Sequence, residues 1–152
     1  MCPHIPCTVT DMAVIEFQSI IGGDAQGELM VLTHPLSFWG GTDAKGVIVD
    51  PHHPVCGQSI AGAVIAMPPA KGSTAGPGAL VELLVNCAGP NAILLSEPDM
   101  VAVVASKVAE AIGERPIPVG ILTPGAWECA LEASKSATAP LCARIEGNRC
   151  RF

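Results

Sequence analysis

Short apolar runs, each cut off by glycine or proline, limit what this chain can fold into. Residues 12–21 (MAVIEFQSII) stop at Gly22-Gly23, residues 46–50 (GVIVD) at Pro51, and residues 63–67 (AVIAM) at Pro68-Pro69. Residues 28–33 (ELMVLT) form a further run and lead toward Pro35. Such runs are strand-sized and well short of the roughly 20 residues that a membrane-spanning helix needs. They are continuous rather than alternating, so they read as strands buried on both faces. The period changes after Pro77. Within residues 78–87, Leu80, Leu83, Leu84 and Cys87 fall at i, i+3, i+4 and i+7, one face of a helix that Gly89-Pro90 ends. Residues 92–95 read as strand, 98–112 as a second helix stopped by Gly113, and 117–122 as a last strand. The order predicts an α/β chain in sheet, sheet and helix layers, a β/β/α arrangement. Residues 1–11 read as an N-terminal leader and 12–122 as the folded domain. Residues 123–152, rich in Ala, Ser and Thr, read as a C-terminal tail that is marginal or disordered on its own.

Composition adds exclusions. Charged residues make up 14% of the chain, against about 25% in an average soluble domain. A surface so poor in charge implies that another chain covers part of it. The net charge of −6 and the absence of a basic stripe exclude nucleic acid as a partner. The short apolar runs exclude a membrane. With no secretory leader, the reading is a cytoplasmic protein, and its seven cysteines (Cys2, Cys7, Cys56, Cys87, Cys129, Cys142, Cys150) read as reduced thiols. Cys2, His4 and Cys7 have suitable metal chemistry, but prolines restrict their loop and no fourth ligand follows at a matching spacing, so no metal is assigned. Cys56 beside His52 and His53 reads as a loop with solvent-exposed histidines rather than a ligand set or nucleophile pair.

Two segments remain that carry chemistry. Residues 35–43 (PLSFWGGTD) place Ser37, Phe38 and Trp39 beside Gly40-Gly41, in a chain that is 3% aromatic and has no Tyr. Residues 68–76 (PPAKGSTAG) place Ser73 and Thr74 between glycines, at the step from a buried strand into a helix. Glycine beside serine lets a backbone approach a ligand and turn its N–H groups toward an anion, and the helix start adds its positive end. A serine hydroxyl is a poor base unless nearby N–H dipoles and a cation stabilise the alkoxide, and Lys71 is the cation nearest in sequence. An ordinary strand-to-helix turn capped by Ser or Thr would carry the same residues. Trp39 could equally cover the edge of the core.

Taken together, the two segments resemble the small subunit, or swivel domain, of the aconitase X family. The order SFWGG, Gly46 to Asp50, His53-Pro54, Gly57 to Ile60, the Gly-Ser turn and Gly89-Pro90-Asn91-Ala92 carries the resemblance over roughly residues 12–120. It implies the swivelling β/β/α domain of the aconitase superfamily and dehydration of a hydroxy acid. It also implies an iron–sulfur cluster held by a separate large subunit, with none bound by this chain. On the matching positions Ser73 would be the proton acceptor, and Ser37, Trp39, Gly40, Gly72, Thr74 and Gly76 would bind substrate. The turn departs from the family's Gly-Ser-Ser-x-Gly-Ser pattern at Thr74 and Pro77, the free position being Ala75, and Pro77 removes one backbone donor. The family's substrates are cis-3-hydroxy-L-proline and mevalonate 5-phosphate. A turn with fewer hydroxyls and N–H groups favours the former. A non-catalytic interaction module is the rival reading, and a thiol enzyme using Cys56 or Cys87 a distant third.

Overall fold

In the computed structural model, which describes residues 6–10, 12–72 and 74–152, seven strands close on themselves. β1 (Val14–Ile21), β2 (Ala25–Val31), β3 (Val64–Met67), β4 (Ala92–Leu95), β5 (Val119–Leu122), β6 (Cys142–Glu146) and β7 (Arg149–Arg151) lie in the order β1-β5-β4-β3-β2-β6-β7. β7 pairs back onto β1 and completes the barrel. β2, β3, β4 and β5 run parallel to one another, whereas β1 and β6 pair antiparallel with the outer two, β5 and β2, and β7 pairs antiparallel with both β1 and β6. Parallel neighbours need crossover connections. α1 (Phe38–Gly41) lies in the link from β2 to β3, α2 (Gly76–Val85) joins β3 to β4, and α3 (Met100–Ala111) joins β4 to β5.

β3 (VIAM) and β4 (AILL) are buried at every position. Their side chains divide between two cores. Val64, Ala66, Ala92 and Leu94 face the inner core with Ile15, Phe17 and Ile145. Ile65, Met67, Ile93 and Leu95 meet Leu80, Leu83, Ala102 and Ala105 from α2 and α3. These are the β/β and β/α interfaces of the expected layers, and the continuous apolar runs follow from having both faces covered. β1 and β2 are different. β1 alternates, burying Ile15 and Phe17 while Val14 stays 51% exposed, so the expectation of two buried faces is corrected for it. Residues 46–50, expected as a strand, contribute only isolated bridges from Val47 and Ile48.

The C-terminal thirty residues are folded, in contrast to the expected tail. Thr123 caps α4 (Pro124–Ser136) by accepting from the Ala126 amide at 3.2 Å, and Pro124 fits the first turn. Ala126 and Ala130 are small enough to bring the helix down onto the inner core, where Trp127 and Ala133 pack beside them. β6 and β7 then form a hairpin through Gly147-Asn148, with Gly147 at φ 62°, the backbone that a two-residue turn demands. Ser106, buried on α3, donates to the Ile117 carbonyl at 2.7 Å and accepts the Ile117 amide at 3.0 Å, so it fastens α3 to the approach of β5.

The reduced-thiol expectation is also corrected. Cys7 and Cys142 form a disulfide with Cα atoms 5.6 Å apart, closing a separation of 135 residues. Cys87 is disulfide-bonded as well. The first bond ties the segment before β1 to β6, and Gln26 reinforces it by donating to the Cys7 carbonyl at 2.7 Å. A crosslink over so long a loop removes much of the unfolded chain's freedom. Cys7→Ser is therefore expected to lower unfolding free energy by about 2–4 kcal/mol, read from denaturant titration under non-reducing conditions. An unchanged midpoint would show that the bond does not contribute.

Candidate functional site

The parallel strands β2 and β3 end on the same side of the sheet, and each delivers one of the two marked segments there. In α/β sheets, the carboxyl ends of parallel strands are where ligand-binding loops gather. The ladder continues past the strands: the Leu32 amide donates to the Ala66 carbonyl at 2.8 Å, and the Ser96 amide to Met67 at 2.9 Å. The two segments are then joined directly, because the Lys71 amide donates to the Leu36 carbonyl at 3.0 Å.

In the first segment, Leu36 and Phe38 are buried and hold the loop to the helix-covered core. Between them Ser37 donates its hydroxyl to the Trp39 carbonyl at 2.7 Å. Trp39 is 63% exposed. Gly40 follows at φ 79°, a left-handed conformation suited to glycine, so the chain folds back beneath the indole. Thr42 donates to the Phe38 carbonyl at 3.1 Å, and Asp43 Oδ1 accepts the Lys45 and Val47 amides at 2.9 Å each. The indole stands at a cleft of about 360 Å³ whose other walls include Thr42, Asp43, Ala79 and Glu82. Trp39 therefore belongs to a surface rather than to the core.

In the second segment, Gly72 and Thr74 are exposed and Gly76 is buried where α2 begins. Ser73 and the proposed Cys2/His4 portion of the leader lie outside the described residues. The N-cap of α2 is Ala75, with no side-chain cap, and Pro77 occupies the first turn. Among the described residues, no Ser or Thr side chain caps this helix start. Asp99 was not visible as a site residue. Its Oδ2 accepts the Ala70 amide at 2.9 Å, across a separation of 29 residues. Pro98-Asp99 before an apolar helix signals a cap, but nothing in the sequence signals the second bond.

The histidine expectation needs correction. His52 is exposed, but His53 is buried, accepts the Val55 amide on Nδ1 at 3.4 Å and faces the His34 carbonyl through Nε2 at 3.3 Å. Those partners make Nε2 the protonated nitrogen and His53 a loop fastener. Cys56 and Cys129 are free and exposed, and Cys150 is free and buried. Its disulfide removes Cys87 from the thiol-nucleophile reading. Among the described residues no three His, Cys, Asp or Glu side chains gather as a metal set, and no helix is long and apolar enough to cross a membrane.

Burial pushes the Cys150 thiol up to about 12 from 9.0. The folded thiol keeps its proton where the unfolded one loses it. Its contribution is therefore intact below pH 9 and falls away as pH rises from 9 toward 12. Iodoacetamide at pH 8 is expected to label Cys56 and Cys129 in the native chain and to reach Cys150 only on unfolding. Between pH 8 and 10.5, Cys150→Ala is expected to lose less of its denaturant midpoint than the unaltered chain. Rapid native labelling of Cys150 would contradict its burial.

The model of the aconitase X swivel domain matches residues 14–142. The chain is 38% identical over 106 residues to a cis-3-hydroxy-L-proline dehydratase of Pseudomonas aeruginosa, covering 69% of this chain and 18% of that protein. It is 41% identical over 93 residues to a phosphomevalonate dehydratase small subunit of Thermococcus onnurineus, covering 60% of this chain and 72% of that one. Its fold matches a crystal structure of Thermococcus kodakaraensis aconitase X in the holo form with a TM-score of 0.72 at 27% identity, over 91% of this chain and 97% of the other. The chain thus spans less than a fifth of the Pseudomonas protein but most of the Thermococcus small subunit.

Proposed function

As the chain belongs to the aconitase X swivel-domain family, we propose that it is the small subunit of a heteromeric hydro-lyase that dehydrates a hydroxy acid. The observation that carries this reading is the joining of the two marked loops at the ends of β2 and β3 through the Lys71–Leu36 bond. Supporting it are relatives named as dehydratases on both sides of the substrate question.

In the proposed reaction a proton leaves the carbon beside the carboxylate, and the hydroxyl departs from the neighbouring carbon, giving an alkene and water. Ser73 is assigned as the proton acceptor. Amide dipoles at the start of α2, with Lys71 two residues away in sequence, are the groups assigned to stabilise its alkoxide. Gly72, Thr74 and Gly76 would meet the carboxylate from the same turn, and Ser37, Trp39 and Gly40 would bound the substrate from the other loop. The large subunit is assigned the iron–sulfur cluster, whose chemistry is to bind the departing oxygen. The preferred substrate is cis-3-hydroxy-L-proline. Ala75 and Pro77 leave the turn with fewer hydroxyl and N–H donors than a phosphate would use. A cytoplasmic setting belongs to the same proposal.

The test is anaerobic assembly of this chain with its large subunit and assay of both cis-3-hydroxy-L-proline and mevalonate 5-phosphate. Turnover of the proline is expected. Turnover of the phosphate alone would keep the reaction class and replace the substrate. Ser73→Ala is expected to lower kcat by about 10²–10⁴-fold with the complex still formed, and unaltered turnover would remove Ser73 from its role. Trp39→Ala, at an exposed position, is expected to leave unfolding free energy within about 0.5 kcal/mol while weakening substrate or subunit binding. Firm binding of the large subunit with no turnover of either compound would favour the interaction-module reading.

A further inference from the structure

The link from β3 to α2 is held by few bonds of its own. Residues 68–72, 74 and 75 have no regular structure, and Pro68 and Pro69 have no N–H to donate. The first amide after them, Ala70, donates to Asp99 Oδ2 at 2.9 Å. The next, Lys71, donates to the Leu36 carbonyl. Asp99 is already the N-cap of α3, with Oδ1 accepting the Val101 amide at 3.1 Å. Val101 in turn meets the other end of the turn: a Cβ on Gly76 would lie 3.5 Å from Val101 Cγ1. The first turn of α3 therefore holds the near end of this segment at Ala70 through Asp99, and its Val101 lies beside Gly76 at the far end.

Capping alone does not require aspartate. Serine and asparagine cap a helix comparably, each with one oxygen. The second acceptor of Asp99 serves only the loop. Serine has no second acceptor, and an asparagine that capped Val101 would turn its NH₂ donor toward the Ala70 N–H. The two jobs can thus be separated by substitution.

We propose that Asp99 is a positioning residue for the dehydration: its Oδ2 holds the Ala70 amide and so anchors the near end of the segment that carries Ser73 three residues on in sequence. The inference rests on the assignment of Ser73 as proton acceptor. A reacting group displaced by about 1 Å can lose about 100-fold in rate, so a carboxylate that never touches substrate can still govern turnover.

The experiment compares Asp99→Ser with the unaltered chain and with Ser73→Ala, each assembled with the large subunit. Asp99→Ser keeps the cap and releases the loop. Its melting temperature is expected to stay within a few degrees, with the complex formed and kcat lowered about 10–100-fold, the larger effect being on kcat rather than KM. Amide exchange in the uncomplexed chain supplies the second readout: Ala70 should lose protection in Asp99→Ser while Val101 keeps it. Asp99→Asn should behave like Asp99→Ser. Unchanged kcat in Asp99→Ser, beside a dead Ser73→Ala, would overturn the positioning role and leave the Ser73 reading standing. If Ser73→Ala turns over normally, the Ser73 reading fails and the positioning role falls with it. An Ala70 amide that exchanges freely in the unaltered chain, or equally slowly in both, would overturn the proposal without reference to activity.

Discussion

Two strands serve two cores at once. β3 and β4 are short, yet each alternate side chain goes to a different interior: Val64 and Ala66 inward, Ile65 and Met67 toward α2 and α3. Because both faces are covered, neither strand can shift register by one residue without exchanging its large and small side chains between the cores. The inner positions of β3 are the smaller ones, and the inner core has to accommodate Phe17 and Phe152 from other parts of the chain. That division holds the strand ends in place. The loops that leave them, toward α1 and α2, inherit a fixed origin.

The parts of the fold legible in the sequence are those with a strong local signal. The helical period of Leu80, Leu83 and Leu84 and the apolar runs of β3 and β4 needed no tertiary information. What escaped was structure whose stability is borrowed. α4 is built on alanines that contribute little burial alone, and its helix exists because Ala126 and Ala130 allow close approach to a core supplied by other strands. β6 and β7 expose Arg144, Glu146 and Arg149 and bury Ala143, Ile145 and Cys150 on the other face. Read locally, that is a polar tail. The Gly147-Asn148 pair between them was the available hairpin signal. Residues 46–50 erred in the opposite direction, being apolar enough for a strand but finding only single-bridge partners.

The disulfide escaped for a different reason. Cys7 and Cys142 are separated by most of the chain, and their meeting depends on β6 pairing with β2, an element that was itself missed. Cysteine pairing cannot be deduced from spacing in this situation. In the site, the same distinction applies. The two marked loops were legible because glycines, prolines and hydroxyls cluster in them. Asp99 was not, since a cap aspartate looks the same whether or not its second oxygen reaches a loop 29 residues away.

Ser37 and Thr74 show how hydrogen bonding sorts residues that the sequence treats alike. Both are hydroxyls beside glycine in a marked loop. Ser37 already donates its proton to the Trp39 carbonyl, so a carboxylate substrate, which only accepts, could gain that proton only by breaking the brace beneath the indole. The hydroxyl keeps lone pairs for a donor, and its contribution to an anion is therefore through the shape of the Trp39 loop. Thr74 is exposed beside a helix start whose N-cap is Ala75. Amides divide in the same way. Ala70 and Lys71 are committed to Asp99 and Leu36, which fixes the near half of the turn, whereas the start of α2 carries no side-chain cap. The near half is the part held by those two bonds. In the proposed reaction, the Thr74–Gly76 end of the turn is the part assigned to meet the substrate carboxylate.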